Sequence, residues 1–113
     1  MALPLNVYKT LTGITSTSPE VVYTAPVGYT GVILLAQVAN ISSSSQDISL
    51  SHQRSVVGIA VTTEMLKNYP VAANDTVNLL AGKLVLESGD KLVLYGSSST
   101  ELKFIASILE TLN

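Results

Sequence analysis

The sequence predicts an all-β protein: a single-domain antiparallel β-sandwich, jelly-roll-like, of about eight strands. Apolar and polar residues alternate with a period of two in Gln46–His52 and again in Glu101–Glu110. Short apolar runs recur at intervals of roughly ten to fourteen residues, with Gly, Pro, Asn and Ser between them. A long helical period is absent, and only Glu64–Tyr69 is compatible with a helical turn. These patterns together favour two packed sheets.

Each strand follows from local residue chemistry, because β-branched residues favour strands and Pro, Gly and Asn favour turns. Pro19 ends the first strand, and Ala25–Gly31 forms a turn before the third and most apolar strand. Ser42–Ser45 and Ser97–Thr100 are hydroxyl-rich loops, while Leu66–Asp75 is expected to be irregular. The predicted strands are Val7–Thr17, Val21–Thr24, Gly31–Ile41, Gln46–His52, Val56–Met65, Thr76–Leu80, Lys83–Leu86, Lys91–Tyr95 and Glu101–Glu110.

The last third of the chain carries the strongest hairpin pattern. Lys83–Leu86 and Lys91–Tyr95 are similar apolar runs, and Glu87–Asp90 between them contains the Ser-Gly-Asp of a tight turn. Two such runs joined by a Gly/Asp turn predict a β-hairpin.

Length and composition restrict the classes of protein. The 113 residues suffice for one domain, 1–113, of which residues 1–18 are expected to form an N-terminal arm or strand. Six basic and eight acidic residues give a net charge of −2, which argues against a nucleic-acid partner. The start of the chain lacks the basic and apolar regions of a signal peptide, and Gly31–Ile41 is too short to span a membrane. We therefore expect synthesis in a cytoplasm and no membrane partner.

The few residues that could take part in catalysis or ligand binding are better explained as parts of strands, turns and contacts. His52 is the only histidine and Cys is absent, so we predict no metal site, no cofactor and no catalytic residue. Glu87 and Asp90 are expected to serve as turn residues rather than as an acid–base pair. The five tyrosines are expected at core edges and interfaces; a sugar-binding role would require them to cluster, and Tyr69 near Asn68 and Asn74 is the one weak candidate.

Some strands are apolar on both faces, which a two-sheet sandwich does not require. In Gly31–Ile41, residues Val32, Leu34, Ala36 and Val38 lie on one face and Ile33, Leu35, Ala39 and Ile41 on the other. The surplus predicts an interface, either within a homo-oligomer, with a trimer favoured, or with a larger shell; loops folded over the face are the alternative. The predicted interface residues are Ile33, Leu35, Ile41, Val85, Val93, Ile105 and Leu109.

Two short motifs, one in each half of the chain, carry a family resemblance. Val22–Gly31 contains Tyr-Thr-Ala-Pro-Val-Gly, and the following strand ends in Val-Ala-Asn at Val38–Asn40. Gly82–Leu92 contains a Leu-x-x-Gly-Asp-x-Leu segment. With these two motifs the chain resembles a group of small virion structural proteins of tailed bacteriophages. The resemblance covers Val21–Leu109, apart from Ser42–Val56. It implies a β-sandwich of the capsid surface, neck or tail, as in phages of cyanobacteria.

The resemblance and the apolar strands together predict a non-enzymatic virion protein. The favoured role is a capsid decoration (cement) protein that binds itself or other virion proteins, such as the major capsid protein, through an apolar sheet face. A neck, tail or baseplate component and a carbohydrate- or receptor-binding β-sandwich are the alternatives.

Overall fold

The computed structural model describes residues 5–113, which form nine strands in two antiparallel sheets. Residues 1–4, the start of the predicted N-terminal arm, lie outside the described residues. The strands are β1 (Asn6–Ile14), β2 (Glu20–Thr24), β3 (Tyr29–Asn40), β4 (Gln46–Val56), β5 (Ile59–Val71), β6 (Thr76–Asn78), β7 (Leu84–Leu86), β8 (Lys91–Gly96) and β9 (Leu102–Leu112).

The strand order is that of a jelly roll. Sheet 1 has the order β1-β9-β3, and both β6 and β7 pair with the free side of β3. Sheet 2 has the order β2-β8-β4-β5. Since β6 and β7 occupy one interrupted strand position, the two sheets correspond to the eight strands of a jelly roll. The predicted fold class is confirmed.

An aliphatic core fills the space between the sheets. In β9 every second residue from Leu102 to Ile108 is buried, as the alternation in the sequence predicts. The same period buries Ile48 and Leu50 of β4. The largest fully buried apolar side chains are Ile33, Val38, Ile48, Leu50, Val71, Leu86, Leu92, Leu94, Leu102 and Ile108.

A β-bulge in β3 corrects the predicted assignment of its faces. The register with β9 shifts between Ile33 and Leu35, so Ile33 and Ala36 both point into the core although they are three residues apart. A bulge adds one residue to a strand and thereby changes the phase of the alternation. The strand is apolar on both faces partly because its two halves bury opposite phases of the sequence.

The predicted hairpin at Glu87–Asp90 is wrong. Strand β7 pairs with β3 in sheet 1, whereas β8 pairs with β2 and β4 in sheet 2. The turn therefore carries the chain from one sheet to the other. Local turn chemistry is the same in both arrangements, and the burial of Leu86 and Leu92 from opposite sides of the core selects the crossing.

Strands β4 and β5 form a hairpin longer than predicted. Strand β4 continues through Gln53–Val56, and β5 includes Leu66–Val71 where irregular chain was expected and Glu64–Tyr69 where a helical turn was possible. Register shifts between Ile48 and Ser51 absorb the extra residues of β5 as bulges. Pro70 is tolerated because β5 is an edge strand.

Candidate functional site

The outer face of sheet 1 carries a set of aligned apolar residues outside the core. Cross-strand pairing places Tyr8, Leu109, Val32 and Val85 in one row across four strands. Leu35 and Ile105 lie in the next rows, with Lys103 as the only charged residue on the described part of β3 and β9 that shares this face. We call Tyr8, Val32, Leu35, Val85, Ile105 and Leu109 the outer patch.

Five of the seven predicted interface residues reach the surface on this side. Leu35, Val85 and Ile105 are exposed members of the outer patch, and Leu109 is half-buried within it. Ile41 is also exposed and directly follows β3. Their placement agrees with a role in binding, which stays a prediction.

Two predicted interface residues lie elsewhere. Ile33 has no exposed surface, since the bulge after it turns its side chain into the core. Val93 is buried on the outer face of sheet 2, where Val21 and Ser51 of the neighbouring strands flank it. Because β7 and β8 belong to different sheets, Val85 and Val93 lie on opposite sides of the sandwich. The prediction is wrong for Ile33 and Val93.

A second apolar surface, which the sequence reasoning missed, is the tip of the β4–β5 hairpin. Strand β8 pairs with β4 only as far as Gln53, so the hairpin extends beyond the sheet. We call residues 54–61 the arm. Its exposed apolar residues are Val56, Val57, Ile59 and Val61, and Val57 is 95% exposed. The Val-Val-Gly-Ile sequence was the available signal: a Gly after two valines within an extended segment can mark a hairpin turn.

A charged cluster anchors the Glu87–Asp90 turn to β4. The buried carboxylate of Asp90 accepts bonds from Arg54 Nε at 3.0 Å and Arg54 Nη2 at 2.6 Å. It also lies 3.0 Å from His52 Nε2 and accepts the Glu87 backbone N–H at 3.0 Å. The Arg54 hydrogen bonds hold the pKa of Asp90 well below its usual range. His52 and Asp90 thus have structural partners, and the prediction of a turn for Glu87–Asp90 is confirmed.

A second buried carboxylate ties the sheets together. Tyr23 of β2 donates its hydroxyl hydrogen to Glu110 Oε2 of β9 at 2.6 Å, and Lys9 Nζ lies 3.1 Å from Oε1. Burial, followed by the bond to Glu110, raises the pKa of Tyr23. Gly31 faces the phenol, and a Cβ there would lie 2.8 Å from the hydroxyl oxygen. This cluster joins the sheets and has the character of a core contact.

The described residues do not form the other sites considered. Within residues 5–113, no group of three or more His, Cys, Asp or Glu side chains could hold a metal ion. The same part of the chain contains no helix long and apolar enough to cross a membrane. The tyrosines are divided between the sheets: Tyr8 and Tyr29 lie on sheet 1, and Tyr23, Tyr69 and Tyr95 on sheet 2.

The backbone is similar to chains from viral capsid structures. A chain of the T13 infectious bursal disease virus particle superposes with a TM-score of 0.58 at 11% identity, covering 97% of this chain and 32% of that one. A chain of the acid-stable capsid of Helicobacter pylori bacteriophage KHP30 superposes with a TM-score of 0.56 at 9% identity, covering 96% and 89%. The protein thus spans about a third of the first of these chains and most of the second.

These similarities establish the fold alone, because so few residues are identical. No protein-family model matches the sequence, and no curated protein matches it. The jelly roll of this chain is a fold that occurs in viral capsid structures, which agrees with the fold that the resemblance in sequence implied.

Proposed function

We propose that the protein is a non-enzymatic structural component of a virion, a capsid decoration protein that binds the shell through the outer patch. The observation that carries the proposal is the outer patch itself: an aligned, almost uncharged apolar surface on one sheet of a jelly roll. Soluble single chains rarely expose aligned apolar surface of this kind, so a partner is the expected cover.

The lengths of the matched chains support a separate capsid component. In the infectious bursal disease virus structure the similar region is 32% of a longer chain. In the phage KHP30 capsid structure it is 89% of a chain of similar length to this one. A jelly roll of about this size can therefore be a whole chain within a capsid, as the decoration role requires.

The polar clusters support a structural role rather than catalysis. Asp90 and Glu110 are held by Arg54, His52, Tyr23 and Lys9 in contacts that join strands of the sandwich. A nucleophile or general acid needs an open reacting position beside it, and these two carboxylates are buried among their partners. The proposed partners are the major capsid protein and other virion proteins, and the proposed location is the virion, after synthesis in the host cytoplasm.

Labelling of intact particles tests the role. Gold-labelled antibodies against the protein, applied to virions purified from cells that make it, are expected to decorate the capsid surface. Label restricted to the neck, tail or baseplate would contradict the decoration role. Recovery of the protein only as free chain, without any label on particles, would contradict a virion role altogether.

Binding of variants to particles tests the surface. Leu35→Asp and Val85→Asp each place a charge on the outer patch and are expected to lower the amount of protein that sediments with capsids that lack it. Val21→Asp is the matched control, because Val21 is an exposed valine on the outer face of the opposite sheet. Equal binding of all three variants would contradict the assignment of the outer patch.

A further inference from the structure

The arm is a two-stranded ribbon without a third strand beside it. Residues beyond Gln53 of β4 pair only with the start of β5, from Arg54↔Val61 to Val56↔Ile59. A two-stranded ribbon is marginally stable in water. Arg54 anchors the base of the arm to Asp90, but Ser55–Ala60 is exposed throughout. The tip thus presents apolar side chains on a fixed base.

The turn at the tip departs from ordinary hairpin chemistry. Val57 and Gly58 are the central residues of a two-residue turn, with φ of 52° and 77°. Such turns favour Asn-Gly or Asp-Gly, because both central residues need positive φ. A β-branched residue is strongly disfavoured there. Val57 strains the backbone and exposes an apolar side chain, so neither effect stabilises the single chain, and a contact outside the chain is the remaining use for it.

A depression lies on the far side of the molecule, on the outer face of sheet 1. It has a volume of about 240 Å³, and its lining residues are Gln37, Ala39, Thr76, Lys103, Phe104 and Ile105. This is slightly smaller than the pockets of roughly 300–1,000 Å³ that hold small-molecule ligands. The exposed surface of the lining is mainly apolar, and Lys103 is its one charged residue. Residues 55–61 of the arm carry no charge, so the arm and Lys103 do not repel each other.

The tip and the depression lie at opposite ends of the sandwich. The depression is beside the last residues of β3, and β4 begins at that end after a short loop. The arm is at the other end of β4, an 11-residue strand that spans roughly 35 Å. The two features also belong to different sheets. A chain therefore cannot fill its own depression, but a second copy can.

We infer that the protein associates head to tail with itself: the Val57–Ile59 tip of one copy inserts into the Ala39–Ile105 depression of the next. Such a heterologous contact closes into a ring when the rotation between copies allows it, and otherwise extends as a filament. A ring of three corresponds to the trimer favoured by the sequence. The depression shares Ile105 with the outer patch. The contact is nevertheless tested separately from the proposed binding to a shell, since it forms in solution without any capsid.

Val57→Asn tests the tip without weakening the turn. Asn-Gly is the favoured sequence for this turn, so the variant is expected to fold at least as well as the wild type. In sedimentation velocity the wild type is expected to be an oligomer and Val57→Asn a single chain. Val27→Asn is the matched control, since Val27 is a 92% exposed valine in another turn, and it is expected to remain oligomeric.

Ala39→Arg tests the depression by filling it, and the variant is expected to sediment as a single chain. Thr10→Arg, at an exposed position of β1, adds the same charge to the same sheet outside the depression and is expected to assemble. If circular dichroism shows that Ala39→Arg does not fold, Ile105→Lys replaces it.

Mixing the two variants identifies the contact. Val57→Asn retains the depression and Ala39→Arg retains the tip, so together they are expected to form a one-to-one complex and nothing larger. A wild type that sediments as a single chain would overturn the inference, as would an oligomeric Val57→Asn. If Ala39→Arg assembles like the wild type, the depression is not the surface that receives the tip. None of these results depends on particle binding, so failure here leaves the proposed virion role to its own test.

Discussion

Two neighbouring turns are built in opposite ways. The Glu87–Asp90 turn has Gly89 at φ 85° and an Asp whose carboxylate is bonded by Arg54 and His52. The Val57–Gly58 turn, only three residues beyond Arg54, has a strained valine that contacts solvent. The first turn agrees with local rules and stabilises the single chain. The second departs from them, and this departure is the basis for the proposed contact with a second copy.

Removing the charge of Asp90 is expected to have the largest effect. Asp90→Asn keeps the size of the side chain but removes the carboxylate that Arg54 and His52 share, and Arg54 retains only the exposed Glu87. The free energy of unfolding should therefore fall by about 3 kcal/mol. Urea denaturation measures it. Glu87→Gln, at the exposed partner of Arg54, should cost less than about 1 kcal/mol. Equal losses in both variants would show that the buried carboxylate has no special role.

Acid is expected to weaken the first turn selectively. The Arg54 hydrogen bonds lower the pKa of Asp90 in the folded state, so its stabilisation is complete above the unfolded pKa of about 4. It is lost progressively as the pH falls from there toward the lower folded pKa. The free energy of unfolding should therefore decrease below about pH 4, and less steeply in Asp90→Asn. If the free energy of unfolding depends on pH in the same way in both proteins, the acid sensitivity does not come from Asp90.

Glycine substitution is expected to affect both turns alike. A Cβ at Gly89 or Gly58 would meet no atom within 4 Å, so the cost comes from the positive φ alone. Gly89→Ala and Gly58→Ala should each lower the free energy of unfolding by about 1–2 kcal/mol. Thermal unfolding of the two variants measures the cost, and a difference of several kcal/mol between them would indicate contacts that the backbone geometry does not show.

The smallest expected effect has the opposite sign. Val57→Asn should raise the free energy of unfolding of the single chain by about 1 kcal/mol, since Asn adopts positive φ more readily than a β-branched residue. The comparison is made by urea unfolding at a dilution where both proteins sediment as single chains, because association would add to the stability of the wild type. A loss of stability would mean that Val57 supports its own chain.

Much of the sandwich could be predicted from residue alternation. In β9, the period of two correctly separates Leu102, Phe104, Ala106 and Ile108 from Ile105 and Leu109, since no bulge interrupts the buried part of that strand. The same reasoning failed in β3, where one inserted residue changes the phase and buries Ile33. A bulge is specified by pairing with neighbouring strands, and the sequence of one strand does not contain that information.

Of the residues at the candidate site, some could also be predicted from the sequence and others could not. Leu35, Val85 and Ile105 were recognisable as surplus apolar residues, because their strands carry more aliphatic side chains than one buried face can take. The opposite locations of Val85 and Val93 were not recognisable, because a turn of the same composition can join two strands of one sheet or cross between two sheets. The arm was missed because β4 continues to Val56, past the residues that alternate cleanly, and the predicted strand Val56–Met65 ran through the turn at Val57–Gly58, whereas β5 begins only at Ile59.

The sequence by itself determined the all-β class, the approximate number of strands and the low charge of the surface, since these depend on residue type and local periodicity. Only the tertiary structure decided which sheet each strand joins, which phase of β3 is buried, and that the Val57 turn projects past β8. The physical reason is that strand pairing and burial are contacts between residues distant in sequence, and their energies depend on partners that no local pattern names.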